Sequence, residues 1–360
     1  MNCRKRESSA FWLKLKEMLK MKLSLFAAVL MFGVVWADAP AELPEGVVEI
    51  EFKSTFDGTM QPALFFVPPQ SEKPLPLLVG LHTWNATYKP INRSYLAFCQ
   101  KNNWAMIYPN FRGANRNPEA CASEAAVRDI LDAIEYARRT VPINNDRIYL
   151  IGYSGGGHMS LIMAGRHPEI WAGVCCSVPI SDLAAWHGES LKRRSSYWRA
   201  IEQITGGIPG ASDKVDQEYR ARSPMTYLPD VRGKVHVDIL AGINDGHNGS
   251  VPISQALNAF NALAGEKDRL SPEQIELMTA EKKVAPELAG EWSDPGYGRR
   301  KIHFRRHSEN VRISIFEGGH EALPNVMLNW LSRQEKNKKV DFSVPGVIKN
   351  KIAEDTHVTD

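Results

Sequence analysis

Apolar and polar residues alternate strictly near the start of the folded region. Val48, Ile50 and Phe52 are interleaved with Glu49, Glu51 and Lys53, which predicts a half-exposed strand. Asp57-Gly58 then turns the chain into the run Ala63 to Val67, so the two segments should form an antiparallel hairpin at a sheet edge. Farther along, alternation gives way to continuous apolar runs at Leu77 to Leu81, Trp104 to Tyr108, Ile148 to Ile151, Ala172 to Val178, Val235 to Ala241 and Val311 to Phe316. Such runs suit parallel strands covered on both faces. Between them apolar residues recur at helical spacing, as in Val127, Ile130, Leu131 and Ile134, then Ile253, Leu257 and Phe260, then Leu323, Val326, Met327 and Trp330. Hairpin plus six alternating units predict an α/β chain with an eight-stranded, mostly parallel sheet and helices on both faces.

Two stretches break the rhythm. Residues 183–230 carry Trp186, His187, Tyr197 and Trp198, and residues 265–305 are charged, with one helix expected from Pro272 to Lys283 and an irregular passage from Trp292 to Gly298. Inserts of this length in a compact domain read as lids or binding loops. The polar tail, residues 334–360, is expected to fray. What lies between, residues 38–333, reads as a single domain.

The N-terminus changes the meaning of the net charge. Met21-Lys22 precedes an apolar run from Leu23 to Val35, and Val35-Trp36-Ala37 offers small residues at cleavage spacing. Residues 1–37 therefore read as a secretory signal, with Met21 a second candidate start, and predict a secreted or periplasmic protein with no stable membrane span after cleavage. That segment holds seven Lys/Arg and two Asp/Glu, so without it the formal charge moves from +3 to −2. The basicity belongs to the signal, and nucleic acid is not an implied partner. Four cysteines remain, Cys99, Cys121, Cys175 and Cys176, open to disulfides or to buried free thiols. Neither paired C-x-x-C nor H-E-x-x-H occurs, so a metal site has no support in the sequence.

The chemistry centres on Gly152-Tyr153-Ser154-Gly155-Gly156, between the run Arg147 to Ile151 and a helical stretch ending near His167-Pro168. A G-x-S-x-G between strand and helix is a nucleophile elbow: small flanking residues let the chain turn sharply, expose the Ser154 hydroxyl and aim the Gly155 N–H at a developing oxyanion. Serine needs a base, and the base an orienting carboxylate. Asp245 follows one apolar run in Gly242-Ile243-Asn244-Asp245-Gly246, and His320 follows another in Glu317-Gly318-Gly319-His320-Glu321. Both stand where open α/β sheets place their sites, beyond the C-terminal ends of strands. Asp182 is the rival acid, with helix capping as its structural role. His158, His187 and His247 are weaker candidates for the base. The loop Gly80-Leu81-His82-Thr83-Trp84 should give the second oxyanion donor, the N–H of either Thr83 or Trp84. For substrate contacts the sequence offers His82, Arg112, Trp186 and Trp198, with structural pinning the alternative for Arg112.

Taken in order, Asn110-Phe111-Arg112-Gly113, the serine elbow, Asp245 with Val251-Pro252 and Gln255, and Gly319-His320 resemble the catalytic domain of the prolyl oligopeptidase family of α/β-hydrolases over residues 75–333. The resemblance implies Ser154 as nucleophile, Asp245 as acid, His320 as base and no metal or organic cofactor. It also implies a serine hydrolase with peptidase or esterase activity. The roughly 40 residues between the signal and Leu77 cannot form the β-propeller that precedes the catalytic domain in peptidases of that family. Four tryptophans (Trp84, Trp186, Trp198 and Trp292) offer flat faces for sugar rings, so the expected substrates are esters of small acyl groups or acylated carbohydrates, with short peptides the alternative. A non-catalytic binding module on the same fold is the rival of another class.

Overall fold

The computed structural model of the 360-residue chain describes residues 43–69 and 73–344. Residues 1–37, expected to be a secretory signal, lie outside them. The described strands are β1 (Val47–Lys53), β2 (Met60–Phe66), β3 (Leu75–Leu81), β4 (Ala105–Pro109), β5 (Ile143–Tyr153), β6 (Gly173–Ser177), β7 (Val237–Gly242), β8 (Ile302–Ser308) and β9 (Val311–Phe316). They form one sheet in the order β1-β2-β4-β3-β5-β6-β7-β9-β8. The five central pairings from β4 to β9 are parallel, while β1 on β2, β2 on β4 and β8 on β9 are antiparallel. Every residue of β3, β4, β6, β7 and β9 is buried. The runs at β7 and β9 are not wholly apolar as expected: Asp238 and Arg312 interrupt them and pair with each other across the two strands (2.8 and 2.7 Å), which is what allows both to be buried.

The helices cover both faces. On one side lie α2 (Glu124–Thr140), α3 (Gly155–Arg166) and α7 (Ser254–Leu263), and on the other α1 (Arg93–Asn102) and α9 (Pro324–Leu331). Side chains of one strand alternate between the two cores: Ile148 and Leu150 of β5 join the first, Tyr149 and Ile151 the second. Cys175 and Cys176 on β6 split the same way; all four described cysteines are buried and free.

The sheet has nine strands rather than the eight predicted. β8 escaped notice because it lies in the charged stretch and reads Ile302-His303-Phe304-Arg305-Arg306-His307-Ser308. At an edge, polar side chains cost little: Ile302 and Phe304 turn inward, while Arg305 reaches Ser314 and Asp294. The insert 183–230 is also more regular than expected. It contains α4 (Leu183–Lys192), α5 (Tyr197–Thr205) and α6 (Asp213–Ala221), which pack Leu183, Trp186, Ile201, Ile204 and Tyr219 around Trp84 in a small core of their own. In the second insert α8 (Pro272–Glu281) starts on a capping box between Ser271 and Gln274. Residues 334–343, expected to fray, are docked: the Tyr149 hydroxyl donates to the Gln334 carbonyl, and Phe342 stacks on Trp330.

Candidate active site

The elbow is built as its glycines require. β5 ends at Tyr153, α3 starts at Gly155, and Ser154 between them sits at φ 56°, ψ −122°, a strained conformation for a side-chain-bearing residue. Its N–H donates to the Ser177 carbonyl (2.9 Å), fixing the turn to the end of β6. A Cβ on Gly155 would lie 2.3 Å from the Trp84 nitrogen, so only glycine lets the peptide between Thr83 and Trp84 pass beside the serine.

Asp245 and His320 meet through strand register. β7 and β9 are parallel neighbours with Gly242 beside Phe316, so the loops after them leave the sheet together, held by Asn244 N–H to the Gly318 carbonyl (2.9 Å). His320 must then reach back across the ends of β7 and β6 to Ser154. The Ser177 hydroxyl holds its loop there by donating to the Glu321 carbonyl (2.8 Å). As a result His320 Nε2 lies 2.8 Å from Ser154 Oγ, and His320 Nδ1 lies 2.7 Å from Asp245 Oδ2. Asp245 is buried, and its other oxygen accepts from the N–H groups of Gly246 (2.9 Å) and Val251 (3.2 Å). A carboxylate facing Nδ1 favours the tautomer with its proton there, leaving Nε2 free to accept from the serine hydroxyl. Ser154 is 8% exposed and the His320 side chain 19%, so both are largely enclosed.

The rival residues lie elsewhere. Asp182 caps α4, accepting from the N–H groups of Ala184 and Ala185 (2.9 and 3.0 Å). Buried His158 sits in α3 with Nε2 2.8 Å from the Arg222 carbonyl, and burial lowers its pKa to about 4. His187 pairs with Glu202 and His247 with the Thr279 carbonyl.

Three of the four expected substrate contacts are committed to the fold. His82 is buried, stacks on Phe111 at 3.9 Å, and has its ring nitrogens at the Thr83 and Asn110 carbonyls; burial lowers its pKa. Arg112 is clamped by Asp129, Asp57 and Ser54, pinning the edge hairpin to α2. Trp186 is buried against Trp84 and donates to the Ser250 carbonyl (3.0 Å). Trp198 is half-buried with the Arg199 guanidinium 4.8 Å over its ring. An Arg or a Trp in a loop carries the same letter whether it faces solvent or a buried partner, which only the fold decides.

The sequence profile of the prolyl oligopeptidase family matches residues 92–282, a range that contains Ser154 and Asp245. The chain belongs to the prolyl oligopeptidase family. Consistent with that family, the rat acylamino-acid-releasing enzyme is 24% identical over 203 residues, covering 53% of this chain and 26% of the rat protein. Its human counterpart is 24% identical over 175 residues, 45% of this chain and 22% of the human one. The chain thus spans about a quarter of the length of these relatives. Among solved structures, an acylaminoacyl peptidase bound to Z-Gly-Gly-Phe-chloromethyl ketone superposes with a TM-score of 0.58 at 17% identity, over 82% of this chain and 43% of that one. The uncomplexed Pyrococcus horikoshii acylaminoacyl peptidase gives 0.57 at 18%, with the same coverage. The fold is that of an α/β-hydrolase, and the family makes this chain a serine hydrolase.

Sequence reasoning overlooked the supports of this corner. A Cβ on Gly249 would lie 2.2 Å from Asp245 Oδ1 and 2.6 Å from His320 Cβ, so the acid and base are packed against a bare backbone. The pair Gly246 and Gly249 close behind Asp245 was the available signal. Arg193, at the end of α4, donates to the Gly249 carbonyl and braces the same loop from the cap, and nothing in its local sequence marked it.

Proposed function

We propose that this chain hydrolyses acyl bonds through an acyl-enzyme formed on Ser154. The reading rests on one observation, the continuous line Ser154 Oγ, His320, Asp245 at 2.8 and 2.7 Å. Ser154 Oγ attacks the carbonyl carbon while His320 Nε2 takes its proton, and Asp245 stabilises the imidazolium. The oxyanion falls between the N–H groups of Gly155 and Trp84. Trp84 is preferred to Thr83 because the Thr83 carbonyl is engaged by the Ala86 N–H (3.1 Å), and in a trans peptide the Trp84 N–H points the opposite way. Collapse of the intermediate breaks the bond to the leaving group, which takes the proton from His320. Water then repeats the sequence on the ester and releases the acid.

Acylated short peptides are the natural substrates of this reading, because the relatives that align over this region bear the name acylamino-acid-releasing enzyme. Small activated esters should also react, since an aryloxide leaves more readily than an amine. Acylated carbohydrates lose much of their motive: Trp84 and Trp186 are buried, and Trp198 already carries Arg199. We read residues 1–37 as a secretory leader, which N-terminal sequencing of the exported protein tests. For the chemistry, a fluorophosphonate probe should label the native protein and not Ser154→Ala. Equal labelling of the two would remove Ser154 from the mechanism and leave a non-catalytic module as the better account.

A further inference from the structure

Beside the base lies a cavity of about 500 Å³ lined by Arg193, Ser195, His247, Asn248, Gly249, Ser250 and His320. No carboxylate lines it. His320 is one of the lining residues, while neither Ser154 nor Trp84 is. A serine hydrolase must keep its leaving group within reach of the histidine that protonates it, so a cavity with His320 in its lining is a candidate place for that group.

Two of its residues have unused hydrogen-bonding capacity. Arg193 spends Nη2 on the Gly249 carbonyl, but its Nη1 is buried and has no partner; the buried Ser195 hydroxyl also has none. The nearest acid on the same helix, Glu189, is engaged by Ser254 and Gln255 (3.2 and 3.0 Å). Arg193 makes no ion pair within 4 Å among the described residues, although its charge acts on Glu189 from farther away. A buried guanidinium nitrogen and a hydroxyl left unpaired are costly in a folded protein and mark a place where an acceptor is expected. Both are donors, and the guanidinium suits a planar, two-oxygen anion.

We propose that this cavity recognises a carboxylate carried by the leaving group, held by Arg193 and Ser195. The inference rests on the proposed function and narrows it to substrates whose departing half is acidic, such as a peptide ending close after the scissile bond. The carboxylate binds and is released unchanged.

The test compares two isosteric aryl acetates, the acetyl esters of 4-hydroxybenzoate and 4-hydroxybenzamide, on the full chain. The amide's phenol is the more acidic and better leaving group, so intrinsic reactivity favours the neutral ester. We expect the native enzyme to reverse that order, with kcat/KM about 10- to 100-fold higher for the carboxylate, the range of one or two charge-assisted hydrogen bonds. Arg193→Gln should bring the ratio to about one or below, Arg193→Lys should keep it above one, and Ser195→Ala should lower it by less than Arg193→Gln. If Arg193 only braces the Gly249 loop, Arg193→Gln will slow both esters alike and leave the ratio unchanged, which overturns the proposal. A native ratio of one or below overturns it too. Should Ser154→Ala hydrolyse both esters as fast as the native chain, the catalytic reading itself fails and takes this one with it. A labelled, active native enzyme without preference removes only the carboxylate subsite.

Discussion

Two polar clusters in this protein use the same materials to opposite ends. One joins Ser154, His320 and Asp245; the other joins Arg112, Asp129, Asp57 and Ser54. Each gathers residues distant in sequence, and each buries an aspartate almost completely. In the second cluster every guanidinium nitrogen of Arg112 has an acceptor, and the Ser54 hydroxyl donates to Asp129 Oδ1 (2.6 Å) while accepting from Arg112. It is closed. In the first, the chain of hydrogen bonds ends on the Ser154 hydroxyl, with the Gly155 and Trp84 backbone beside it. On the proposed function the difference is between a network with one end left to a reactant and a network whose members use one another up.

The comparison breaks most decisively at the acids. Asp245→Asn should leave a folded protein whose turnover falls by up to about 10⁴-fold, because the amide no longer fixes the imidazole tautomer. Steady-state hydrolysis of an aryl ester, beside a circular-dichroism melt, measures both. Retained turnover would mean that the open cluster is not the catalytic one.

Arg112→Met should show the reverse pattern. It leaves Asp129, whose side chain is fully buried, without its cation, and removing one partner of such a pair costs about 3–5 kcal/mol. Denaturant unfolding should register that loss, while turnover per folded molecule changes less than about tenfold. A collapse in turnover with normal stability would return Arg112 to the substrate site.

Acid should weaken the fold through the buried imidazoles. His158 titrates near 4 in the folded chain against 6.5 ordinarily, and His82 is shifted in the same direction, both chiefly by burial. Between those values the unfolded chain binds more protons, so stability falls as pH drops from 6.5 toward 4. For His158 the effect is about 3 kcal/mol across the window. Chemical denaturation at pH 7, 5.5 and 4.5 should show the decline, and His158→Gln should flatten it. An unchanged slope in that variant would remove His158 as a cause.

The smallest effect sharpens the choice of acid. Asp182→Asn keeps a side-chain acceptor at the start of α4, so stability should change by less than about 1 kcal/mol and turnover should persist. If it instead matched Asp245→Asn, the acid would belong after β6.

Apolar runs and helical spacing were enough to read the parallel sheet, its two helical faces and the edge hairpin, because burying both faces of a strand leaves few polar positions, and those that remain, such as Asp238 and Arg312, answer each other. The serine elbow was legible for a local reason: strain at Ser154 demands small neighbours within two residues. Asp245 and His320 could be named by chain order, as each follows a strand that the pattern shows. Their meeting was not in the pattern. It depends on β7 and β9 being neighbours and on Ser177 holding the histidine loop across β6. Likewise β8, the cap over Trp84, the docked tail and the closure of Arg112 by Asp129 are products of tertiary structure. Periodicity records how much of an element is buried, and local motifs record strain. Which side chain answers a given charge is settled only when distant segments are brought together, so the sequence could nominate Arg112 and pass over Arg193, while the fold closed the first and left the second with a nitrogen unpaired.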